Sequence, residues 1–93
     1  MEIKDNTFQR QFEAIDNGKL VTVEYSFQER KIFLTRIQQP EGASDEFVSA
    51  MLEEIMTIAV DKKLKVVPVF PKIAAFFRKN PRYKELLPPG IKL

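Results

Sequence analysis

Few side chains in this 93-residue chain could carry chemistry at neutral pH. There is no histidine and no cysteine. That removes the commonest general base, the commonest metal ligand and any thiol nucleophile, and it excludes Ser-His-Asp hydrolase triads and zinc sites. Proton transfer falls to carboxylates, tyrosine, lysine or backbone amides. Glu24 and Tyr25 are one candidate base and acid, although both also fit an ordinary alternating strand. Asp45-Glu46 is an acidic pair placed where a helix should begin, and there carboxylates complement the helix dipole.

Charge is unevenly distributed. Residues 1–60 hold 6 Lys and Arg against 11 Asp and Glu, whereas residues 61–93 hold 9 against 2. A basic third suits an anionic partner such as a nucleotide, CoA phosphates or RNA. Lysines on the outer faces of short helices are more often simply solvated. No exposed aromatic platform is legible beside them, so nucleic acid is not the expected partner.

The elements that must position these groups follow from periodicity. Phe8 to Ile15 alternates imperfectly and reads as a first strand. Asn17-Gly18 is a strong hairpin signal, because both central residues of a type I′ turn take positive φ. Leu20 to Phe27 alternates cleanly, Gln28-Glu29-Arg30 is a polar turn, and Lys31 to Gln38 is a third strand rich in β-branched and aromatic residues. Pro40 to Ala43 reads as a loop and Ser44 as the N-cap of a helix from Asp45 to Lys62. In that helix Val48, Met51, Leu52, Ile55, Ile58 and Ala59 recur three and four apart.

Leu64 to Phe70 is a near-continuous apolar run, expected as a fourth strand covered on both faces. A helix from Lys72 buries Ile73, Phe76 and Phe77, and Asn80-Pro81 ends it. Arg82 to Leu87 reads as a last turn before Pro88-Pro89-Gly90. The expected order is β-β-β-α-β-α in one domain, residues 1–93. Its α+β (or α/β) sheet is mixed, with an antiparallel meander followed by a parallel β-α-β crossover. No apolar run approaches the ~20 residues of a membrane span, and Met1 to Asp5 carries no apolar signal region, so a cytoplasmic protein without a membrane partner is expected.

Pro68-Val69-Phe70-Pro71, the helix after it and the ending Asn80-Pro81-Arg82-Tyr83 resemble the smallest members of the GNAT (general N-acetyltransferase) superfamily. The resemblance covers about Phe8 to Leu87. It implies acetyl-CoA as cofactor, wedged between two splayed parallel strands, here Lys31–Gln39 and Leu64–Phe70, and acetyl transfer to an amine acceptor. By the same resemblance, Ile37, Gln38, Gln39, Gly42, Ala43, Ser44, Phe70, Lys72 and Phe76 are the cofactor-binding residues, with no catalytic residue and no metal ligand assigned. The pyrophosphate falls on Pro40 to Glu46, at a helix start whose free amides suit anions.

The chain departs from the family pattern at three places. Arg36-Ile37 stands for His-Thr, Phe70 for the Cys of Pro-x-Cys-Pro, and Ser44-Asp45-Glu46-Phe47 for the Arg-Gly-x-Gly loop. The alternative implied is a non-catalytic GNAT-fold interaction module with a degenerate acetyl-CoA loop, its partner a protein or a second copy paired at a free sheet edge.

Overall fold

The computed structural model describes all residues, Met1–Leu93. It is an α+β fold with one five-stranded mixed sheet in the order β1-β2-β3-β4-β5. The strands are β1 Lys4–Asn6, β2 Gln11–Asp16, β3 Lys19–Gln28, β4 Lys31–Gln38 and β5 Lys65–Pro68. Helix α1, Asp45–Asp61, joins β4 to β5, which pair in parallel; the other neighbours are antiparallel. Helix α2, Pro71–Lys79, and a 3₁₀ turn, Pro81–Leu86, follow β5.

The meander has four strands rather than three. The expected strand Phe8–Ile15 begins only at Gln11, because Thr7 to Arg10 is a turn. Asn6 Oδ1 accepts from the Gln9 N–H at 3.0 Å and Arg10 takes φ 57°, so this segment reverses the chain and sets β1 antiparallel on β2. The Asn17-Gly18 hairpin has φ of 51° and 75°, the signs a type I′ turn requires.

β4 contains a bulge. Glu24 pairs with Arg36 while Tyr25 pairs with Leu34, leaving Thr35 as the extra residue, its Oγ1 donating to Glu24 O. Ile32 and Leu34 are two apart and Ile37 three further on, yet all three are buried. The bulge returns Ile37 to the core face.

β5 is shorter than the expected Leu64–Phe70 and is covered on one face only. Leu64 N–H donates to Ala59 O and Lys63 N–H to Val60 O, which closes α1 in a Schellman motif with Lys63 at φ 58°. At the other end Val69 N–H and Phe70 N–H both donate to Leu34 O, turning the chain into α2. Pro71 rather than Lys72 opens that helix, at a position whose missing N–H costs nothing.

Both helices pack on one face of the sheet. A single cluster of 19 buried residues joins Val21, Val23, Leu34 and Val66 of the sheet to Met51, Ile55, Ile73 and Phe77 of the helices. Glu53 of α1 pairs with Arg82 of the 3₁₀ turn at 3.1 Å on that side. No helix covers the opposite face, so Val67 is only half-buried and Val69 is exposed. No helix is long and apolar enough to cross a membrane.

Candidate functional site

The place to examine is where β4 and β5 part. Their parallel register runs from Lys31↔Lys65 to Leu34↔Pro68 and stops there, while β4 continues to Gln38. The bulge sits one residue beyond the last pair, at a position where a bulge bends its strand. A strand edge released in this way offers backbone groups to an extended, amide-bearing ligand.

The expected cofactor residues surround this point, each with a partner of its own. Ile37 and Phe76 are buried in the core, and Phe76 stacks on Tyr83 with ring centroids 5.5 Å apart. Gln38 lies exposed on the helix-free face, its Nε2 donating to Glu24 Oε2 at 3.2 Å. Gly42 takes φ 96° in the loop and lies over the Lys19 side chain. Ala43 O accepts from Gln39 Nε2 at 3.0 Å. Half-buried Phe70 caps α2 through its backbone alone.

At the start of α1, Ser44 Oγ accepts from Phe47 N–H at 3.0 Å, the N-cap expected from sequence. Ser44 N–H is taken by Asp16 Oδ2 at 2.8 Å, which ties the loop to the β2–β3 hairpin. Asp45 Oδ1 then receives Lys72 Nζ at 2.8 Å and Gln39 Nε2 at 3.0 Å, and Lys72 Nζ also donates to Gln39 Oε1 at 2.6 Å. The Lys72 hydrogen bond, and after it that of Gln39, hold the Asp45 carboxyl below the usual range. Sequence reasoning found Gln39 and Lys72 but missed that they converge on Asp45.

Between α1 and α2 the surface dips into a cavity of about 120 Å³ lined by Asp45, Leu52, Lys72 and Phe76 among others. That is small beside ordinary ligand pockets of several hundred Å³. The largest hollow, about 680 Å³, lies instead at the β1–β2 edge around Ile3, Ala14, Ile15 and Leu20.

Acetyl-CoA fits this donor set in part. The parted edge of β4 suits the amide-bearing arm. The start of α1 does not suit a pyrophosphate, because the Asp45 carboxylate already holds the one lysine ammonium bonded there and adds negative charge with Glu46.

The candidate acid–base pair is not poised for transfer. Tyr25 is buried and its hydroxyl donates to Asp5 Oδ1. Burial first, then that hydrogen bond, raises its pKa above the ordinary tyrosine value. Glu24 is held by Gln38 on the other face of the sheet. No group of three or more carboxylates converges on a point that could hold a metal ion. No family model matches this sequence, and no curated protein matches it.

Proposed function

We propose that this chain is a small GNAT-like protein of the N-acetyltransferase kind, for which acetyl-CoA-dependent transfer to an amine is the implied activity. The observation that carries the reading is the parting of β4 and β5 after Leu34↔Pro68, with the Thr35 bulge beside it and the α1 start beyond it. Acetyl-CoA, when bound, supplies the activated acetyl group. The chain's own part is to hold the arm of the cofactor along Thr35 to Gln39 and against Phe70, with backbone hydrogen bonds as the main polar contacts.

A second reading is a non-catalytic interaction module on the same fold, and the Asp45–Lys72–Gln39 cluster favours it. It stabilises the helix start with the protein's own carboxylate, where a cofactor phosphate would otherwise bind.

Titration of acetyl-CoA, CoA and pantetheine into ¹⁵N-labelled protein separates the two. Saturable amide shifts at Thr35 to Gln39 and Val69 to Ile73 support the acetyltransferase reading. A flat response to all three ligands at millimolar concentration supports the interaction module and removes the acetyltransferase.

A further inference from the structure

The end of the sheet farthest from the β4–β5 parting combines exposed aromatic rings with basic side chains. Phe8, in the turn between β1 and β2, is 94% exposed, and Phe27, near the end of β3, is 52% exposed. The two are brought to one end by register. Tyr25 N–H donates to Arg10 O at 3.0 Å, so the last residue of the β1–β2 turn lies against β3, and the Phe27 ring sits 5.0 Å from that of Tyr25.

Basic residues continue the row. The β3–β4 turn carries Arg30, whose carbonyl accepts Lys65 N–H at 3.0 Å. Lys31 and Lys65 are direct partners in the parallel register, so two basic residues stand one strand apart. Lys65 Nζ is held only by a carbonyl, that of Glu85. Glu29, Asp61, Glu85 and Asp5 are the nearby carboxylates, and none forms an ion pair, since the two ion pairs of the fold are Lys72–Asp45 and Arg82–Glu53.

The backbone is strained at this end as well. Of five non-glycine residues with positive φ, four lie here: Arg10 at 57°, Glu29 at 50°, Arg30 at 64° and Lys63 at 58°. Glycine or asparagine would hold these angles at lower cost. Three of the four are long cations, directed outward from the sheet end by turns that favour a smaller residue.

We propose that this end binds single-stranded nucleic acid, with Phe8 and Phe27 stacking bases and Arg10, Arg30, Lys31 and Lys65 meeting phosphates. Across the sheet end the order is Phe8 and Arg10 beside β2, Phe27 on β3, Arg30 in the β3–β4 turn, Lys31 on β4 and Lys65 on β5. With strands about 4.8 Å apart this makes a strip about 15 Å long, with the rings towards its β2–β3 side and most of the cations towards β4 and β5. A flexible single strand tracks such a strip, because every base has a face to stack and the phosphates follow the charge. The inference does not depend on the acetyltransferase reading, which concerns the opposite end of β4.

The test is fluorescence anisotropy of labelled 12-nucleotide oligo-dT and oligo-U titrated with the native chain at 25 to 200 mM KCl. The expected result is saturable binding whose log–log salt slope is about −2 to −3, as three or four phosphate contacts to a single strand give. Phe8→Ala, at a position too exposed to affect folding, weakens binding about tenfold by loss of one stacked base. Arg30→Glu with Lys31→Glu abolishes it, while Lys19→Glu at the other end of the sheet leaves it unchanged. Three results overturn the proposal: no binding at 25 mM KCl, binding indifferent to Phe8→Ala, or retention on phosphatidylserine vesicles without retention on the oligonucleotides.

Discussion

Lys72 Nζ of α2 lies 2.8 Å from Asp45 Oδ1 of α1, a pair 27 residues apart that joins the first turns of both helices. With Gln39 bonded to both, the cluster supplies internally the anion that a helix start attracts. The residues that a phosphate needs are present and already engaged.

The first prediction is a gain of binding. Asp45→Asn releases Lys72 and removes one charge from the start of α1. Like charges a few ångströms apart repel even when partly screened, so the variant should gain CoA affinity severalfold at low ionic strength. Pantetheine, which lacks the phosphates, gains nothing. Isothermal titration of both ligands into native chain and variant checks this, and equal gains for the two would show that Asp45 acts on the groove as a whole.

The same pair sets a pH dependence. Its partners lower the folded pKa of Asp45 below the unfolded value of about 4. The stability it contributes is therefore complete above that unfolded value and is lost as the pH falls through the folded one. The melting-temperature difference between native chain and Asp45→Asn should be constant from pH 7 to about pH 5 and shrink below pH 4. Thermal melts across that range measure it, and a difference that grows towards acid would contradict the assigned direction.

Tyr25 has the opposite sign. Burial, then its hydrogen bond to Asp5, raises its pKa, so the folded state keeps a proton that the unfolded state releases near pH 10. Stability from this group is complete below pH 10 and declines above it. Ultraviolet titration should show the Tyr25 phenolate forming only as the chain unfolds in alkali. Tyr25→Phe removes that late step.

Thr22 offers a stabilising change. It is 4% exposed and its Oγ1 is a buried polar atom with no partner. Leaving a hydroxyl unsatisfied costs about 1–3 kcal/mol. Thr22→Val keeps the shape and the β-branch and should stabilise the fold by about 1 kcal/mol. The urea midpoint should rise at unchanged m, and a fall would mean that water serves the hydroxyl.

Local signals in the sequence proved easiest to read. Asn17-Gly18, the alternation of Leu20 to Phe27, Ser44 as N-cap and Asn80-Pro81 as a helix end each depend on neighbours within a few residues, and each is present in the fold. β1 was not legible because three residues, Lys4–Asn6, are too few to show a period. β5 was read as covered on both faces because apolar runs do not reveal which faces a helix reaches. The Asp45–Lys72–Gln39 cluster joins residues 27 and 33 positions apart, and no pattern in one sequence announces such a contact. One site feature did leave a trace: the gap of three between Leu34 and Ile37, where strand periodicity demands two.

That gap yields the sharpest prediction. Deleting Thr35 makes Ile32, Leu34 and Ile37 alternate regularly and pairs Glu24 with Arg36 and Val23 with Ile37 as before. No core side chain changes face, so the shortened chain should keep its fold, within about 1–2 kcal/mol of native stability by the scale of ordinary single changes. It loses the local bend that the bulge gives β4. If that bend makes the groove, amide shifts induced by pantetheine or acetyl-CoA at Gln38, Gln39 and Phe70 disappear while the rest of the spectrum stays dispersed. Retained shifts in a folded deletion variant would mean that the proline-directed turn at Pro68 to Pro71 opens the groove, and the bulge serves only to return Ile37 to the core.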